Sequence, residues 1–174
     1  NQEGAAGGGG GGGAGFHGNG VNAYAACNSA DANGDSNNEV YLTVINEDGT
    51  LRYSRVASDD LEFAHSDRVD CAIDAQGRVL VAFMDNDATG KAFNLVEARL
   101  FDAAGQPLGG SFFVSEKETP ELATGESRRP RAAFRGDTVA ITWETTNYEA
   151  TSDRVVAFRV FTVKTTAVDQ FMLY

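Results

Sequence analysis

Apolar side chains fall in short runs along this chain, and turn-forming or polar residues close each run. Val96, Ala98 and Leu100 alternate with Glu97, Arg99 and Phe101, the period-two pattern of a pleated strand with two unlike faces. Residues 78–84 are apolar at nearly every position, as in a strand covered on both faces. Gly, Asn, Asp or Pro bounds the runs, which is the composition that turns demand. No segment shows a convincing helical period. The pattern predicts strands over 69–74, 78–84, 93–101 and 111–115, and a second series over 131–135, 138–144, 154–164 and 170–174.

These series are copies of one motif. Residues 96–105 match 40–49 at an offset of 56, and the same segment matches 156–161 at an offset of 60. The register extends to Ala72 through Gly77, which lie over Gly15 through Gly20 and, one residue shorter, over Ala133 through Asp137. A repeat fixes architecture before any single residue does. The expected organisation is an arm over 1–13 and blade-like units over 14–68, 69–129 and 130–174. The fold class is all-β: three tandem four-stranded antiparallel units in an open β-propeller-like array, with a β-prism or β-trefoil as the alternative. Three blades fall short of the roughly four to eight of a closed propeller, so sheet edges are left for another chain.

Residues 130–134, 78–83 and 98–114 resemble a blade repeat common in large secreted bacterial proteins. In that repeat a proline-led inner strand meets an Asp-Gly turn, then a strand ending in an aromatic, then an Arg-Phe-Asp-x-x-Gly-x-x-Leu-Gly hairpin. The second unit matches throughout. The third departs at its hairpin, Thr162 to Thr166, and the first is the most degenerate. The resemblance implies the propeller fold and a secreted, extracellular or cell-surface setting, and no single activity. A first residue of Asn1 instead of Met fits a mature product whose signal peptide is gone.

Charge narrows the partners. The net charge of −11 disfavours nucleic acid and anionic membrane surfaces, both of which need clustered Lys and Arg. No apolar run approaches the roughly 20 residues of a spanning helix, so membrane insertion is not expected. Cys27 and Cys71 fall in adjacent units; a disulfide between them would close 44 residues. Loop closure on that scale stabilises by about 4 kcal/mol and suits an oxidising compartment. The run Gly7, Gly8, Gly9, Gly10, Gly11, Gly12 and Gly13 is either a flexible leader or an assembly arm that adds a strand to a neighbour.

Candidate chemistry collects in the loops after each second strand. Asp31, Asn33, Asp35 and Asn37 recur at every second residue, and Asp85 and Asp87 occupy the matching loop. Oxygen donors in that density suit a hard cation, so calcium is the one cofactor the sequence suggests. An EF-hand is excluded, because glycine stands at the fourth position and Leu42 at the twelfth. Asn147 and Tyr148 in the third loop are the candidate sugar-binding residues, while Trp143 is expected in the core. The basic cluster Arg128-Arg129-Pro130-Arg131 is suited to an acidic patch on a neighbouring subunit. His17 and His65 have no nucleophile motif beside them, and no metal-protease, Cys-x-x-Cys or phosphate-loop motif is present. From this the chain is expected not to be an enzyme. The leading expectation is an extracellular structural protein that assembles with itself through open β edges, as a filament or surface-layer subunit. The alternative is a carbohydrate-binding or adhesive module with surface glycans as partners.

Overall fold

A computed structural model describes residues 23–30, 39–58, 67–85, 94–115, 127–145, 154–164 and 167–170. These residues form three antiparallel sheets and no helix. The first sheet holds β1 (Ala23–Ala30), β2 (Glu39–Asn46) and β3 (Leu51–Val56) in that order. In the middle sheet β4 (Asp67–Ile73), β5 (Val79–Asp85), β6 (Leu95–Phe101) and β7 (Phe112–Phe113) follow in sequence. β8 (Ser127–Arg135), β9 (Thr138–Thr145), β10 (Val155–Lys164) and β11 (Ala167–Gln170) make the third. The all-β, blade-like expectation holds. The first sheet has three described strands; the fourth expected there, together with the glycine arm, falls in residues outside the described set.

Alternation along the strands builds two cores. Ala23, Ala25 and Cys27 of β1 and Val40, Leu42 and Val44 of β2 pack with Val79, Val81 and Phe83 of β5 between the first and middle sheets. Leu80 and Ala82, the intervening residues of β5, turn to the other side. There they join Val96, Ala98 and Leu100 of β6 against Val139, Ile141, Trp143 and Phe161 of the third sheet. A strand between two sheets is apolar on both faces, which is why β5 is buried at every position. Each large side chain sealed this way contributes about 1.5–3 kcal/mol relative to exposure. Trp143 lies in the second core, as expected.

The hairpin turns repeat too. Asp74 Oδ1 accepts from the backbone N of Gln76 and Arg78, and Asp102 Oδ1 accepts from Ala104 and Gln106. In the second of these turns Gly105 is at φ +75°, and a Cβ there would stand 2.7 Å from the ring of Tyr53. The turn leans on the edge of the first sheet, and only glycine permits both the backbone conformation and the approach.

Strand limits differ from expectation in two ways. β11 spans Ala167–Gln170, three residues earlier than expected, because the third unit lacks the long Asp102-to-Gly110 hairpin and turns back directly. β4 and β8 start at Asp67 and Ser127, earlier than expected, because each begins beyond a bulge whose charged residues break the apolar pattern.

Candidate functional site

Contacts between sheets set which strand ends lie together. At the turn end, Arg78 Nη2 of the middle sheet meets Asp137 Oδ1 of the third at 2.7 Å, and Gly105 meets Tyr53 of the first. The opposite ends therefore share the other side of the molecule. They are Ala30 with Glu39, Asp85 with Leu95 and Thr145 with Val155. Those are the ends that carry the three acidic or polar loops. β4 and β8 also start there, since Asp67 pairs with Met84 and Ser127 with Thr145.

Both of these starts are irregular in the same way. Ladder register shifts between Asp67 and Asp70 in β4 and between Arg128 and Arg131 in β8. Arg68 and Val69 stand opposite Phe83, and Arg129 and Pro130 stand opposite Trp143. Phe83 and Trp143 are themselves equivalent positions of the repeat. Arg68 has φ 49° and Arg129 has φ 53°, the only non-glycine residues in left-handed backbone among those described. Such a conformation costs on the order of 1–3 kcal/mol and persists where the surroundings over-determine it, most often at sites of function. Bulges likewise gather beside active sites, where they re-aim a side chain. Pro130 is buried in its bulge, a position where a missing N–H interrupts no ladder.

Polar contacts hold these bulges in place. Asp70 Oδ2 accepts from the backbone N of Ala132 at 2.9 Å, tying β4 to β8 beside both irregularities. Arg129 Nη1 donates to both carboxylate oxygens of Glu144, at 3.0 and 2.9 Å, and Arg154 Nη1 approaches Glu144 Oε2 at 3.4 Å. The hydrogen bond from Arg129 holds the Glu144 carboxyl below its ordinary range; slight desolvation opposes this and Arg154 reinforces it. Arg68, Arg128, Arg129 and Arg154 thus stand at strand starts on one side of a chain whose net charge is −11. Arg129 and Arg154 are half exposed. The arrangement offers guanidinium donors and one fixed carboxylate to a polar, oxygen-rich ligand.

Of the residues singled out from sequence, Asp85 is at the end of β5 and buried. Asp31, Asn33, Asp35, Asn37, Asp87, Asn147, Tyr148 and the glycines 7–13 lie outside the described residues. Among the described residues no group of three or more His, Cys, Asp or Glu side chains is placed to hold a metal. Cys27 and Cys71 do come together, across the first and middle sheets, as two buried thiols. The hydrogen bond with Cys27, with burial behind it, pushes the Cys71 thiol far up. Of the bulge arginines, Arg129 belongs to the basic cluster named from sequence, while Arg68 is not anticipated there. Their signal is Arg68-Val69-Asp70 against Arg129-Pro130-Arg131, one arginine two residues ahead of a charged partner at an offset of 61.

No protein-family model matches the chain, and no curated protein does. Among solved structures, the Hadza microbial sialidase Hz136 superposes with a TM-score of 0.58 at 11% identity, over 88% of this chain and 35% of that one. Zg3597, a family 117 glycoside hydrolase of the marine bacterium Zobellia galactanivorans, gives a TM-score of 0.46 at 8% identity, over 87% of this chain and 52% of that one. The chain spans about a third of the sialidase's length, and the likeness is one of fold. It also corrects the expectation that the chain is not an enzyme: the fold it shares is one on which a sialidase is built, and missing nucleophile motifs do not exclude that chemistry. The three sheets are propeller-like blades.

Proposed function

We propose that this chain is a blade set from a carbohydrate-directed β-propeller, and that acidic sugars are held at its loop-bearing end. The observation that carries the reading is the pair of repeat-equivalent arginines, Arg68 and Arg129, in left-handed backbone, the second of them bonded to Glu144. Strained cationic residues at the mouth of two adjacent inner strands suit a ligand that presents carboxylate and hydroxyl oxygens. The sialidase likeness supports a glycan over a filament subunit, the leading expectation from sequence. A secreted bacterial setting belongs to the same proposal, on the strength of the blade-repeat wording in residues 98–114. Calcium in the first loop would be an accessory to it.

An acidic-glycan array, read with the wild type and with Arg129→Ala and Arg68→Gly, tests this. Retention of sialylated or uronic-acid glycans, lost in both variants while far-UV circular dichroism is unchanged, supports the site. Binding that is absent, or unaffected by either substitution, contradicts it. Parallel incubation with fluorogenic glycosides of the same sugars reads hydrolysis directly.

A further inference from the structure

Among the described residues, the two terminal sheets each leave one face without a sheet against it, and the repeat register says what those faces are. The middle sheet covers the third with Leu80, Ala82, Val96, Ala98 and Leu100. Sixty positions on, the equivalent residues are Ala140, Thr142, Val156, Phe158 and Val160, on the outer face of the third sheet. Val156 is 74% exposed and Phe158 42%, where their counterparts Val96 and Ala98 are fully buried. The outer face of the first sheet is the other half. Tyr24, Ala26, Asn28, Tyr41, Thr43 and Ile45 are the ladder equivalents of Val79, Val81, Phe83, Glu97, Arg99 and Phe101, with which the middle sheet faces the first.

We infer that these faces are the two halves of one blade interface, and that a second copy of the chain occupies each, its first sheet on the outer face of the third. Continuity with the two internal interfaces is one argument. Volume is another. The third sheet carries Phe158 where the middle sheet has Ala98, and the first carries Asn28 where the other two have Phe83 and Trp143. At the internal interface the large side chain, Trp143, comes from the following sheet and the small one, Ala98, from the preceding sheet. At the terminal faces the order of sizes is exchanged, with Phe158 on the third sheet and the smaller Asn28 on the first, so the two halves fit each other. Two copies joined by a two-fold make both contacts at once and close a ring of six sheets, within the range of propellers. This assembly is independent of the glycan reading.

Light scattering on the full chain tests it. The expected mass is twice 18.4 kDa. Phe158→Asp and Ile45→Asp should each give a monomer that keeps its far-UV spectrum. An equimolar mixture of the two variants should recover a dimer, because it holds one intact first-sheet face and one intact third-sheet face. A monomeric wild type, a dimer that both variants leave intact, or open fibres would overturn the ring. So would a mixture that stays monomeric.

Discussion

The middle and third sheets are written in the same register and end in different environments. β6 and β10 match at an offset of 60, yet Val96 is fully buried and Val156 is 74% exposed. The apolar face is a property of the strand, and its burial is a property of the neighbour. The lesson is that a repeat unit cannot cover its own hydrophobic faces; stacking does so, and each end of the stack stays open until something else arrives.

The sharpest way to break that comparison is to empty one enclosed and one open aromatic position. Phe83→Ala in the core between the first and middle sheets should cost about 3–5 kcal/mol. Phe158→Ala on the open face of an isolated monomer should cost under about 1 kcal/mol. Urea unfolding of the two variants in the monomeric Ile45→Asp background reads the difference. Equal costs would show that the outer face of the third sheet is covered within one chain.

The closed interface is also where a covalent bond would act. Refolding with glutathione disulfide should join Cys27 to Cys71, with two protons and two electrons passing to the oxidant as it becomes two reduced glutathiones. Mass spectrometry should then find a loss of about 2 Da, and the midpoint of unfolding should rise by the equivalent of about 4 kcal/mol. A chain that keeps two alkylatable thiols after refolding in oxidant would show that the pair serves as packing alone. Gly105→Ala, at φ +75° and 2.7 Å from the Tyr53 ring, should cost about 1–3 kcal/mol by forcing the turn off the first sheet.

The smallest effect is a pH dependence. Burial raises the Tyr53 hydroxyl from 10.0 to about 12, and its oxygen is buried with no hydrogen-bond partner among the described residues. A raised folded value means the neutral form is favoured by folding. Its stabilisation is fully present below pH 10 and lost as pH rises towards 12. Tyr53→Phe should leave neutral-pH stability within about 1 kcal/mol and flatten the alkaline decline. A decline of unchanged slope would assign the effect to other groups.

Much of the fold is legible from sequence because period-two alternation and Asp-x-x-Gly turns are local signals. Val96 to Gly105 announces a strand and its hairpin without reference to any neighbour. Bulges are less visible. Arg68 and Arg129 sit among charges just ahead of the expected strands, and their left-handed backbone follows from the ladders on either side. The Arg129–Glu144 pair joins residues 15 apart through strand pairing, which no spacing rule anticipates. The exclusion of an enzyme rested on missing local motifs, whereas a propeller gathers its polar groups from different blades.

The central claim is that the loop-bearing end, and not the turn end, meets the ligand. Titrating an acidic oligosaccharide into isotopically labelled protein and following arginine Nε resonances tests it most directly. The account predicts that Arg68 and Arg129 shift together while Arg78 and Arg99 stay still. Movement of Arg78, at the turn end, without the other two would contradict it.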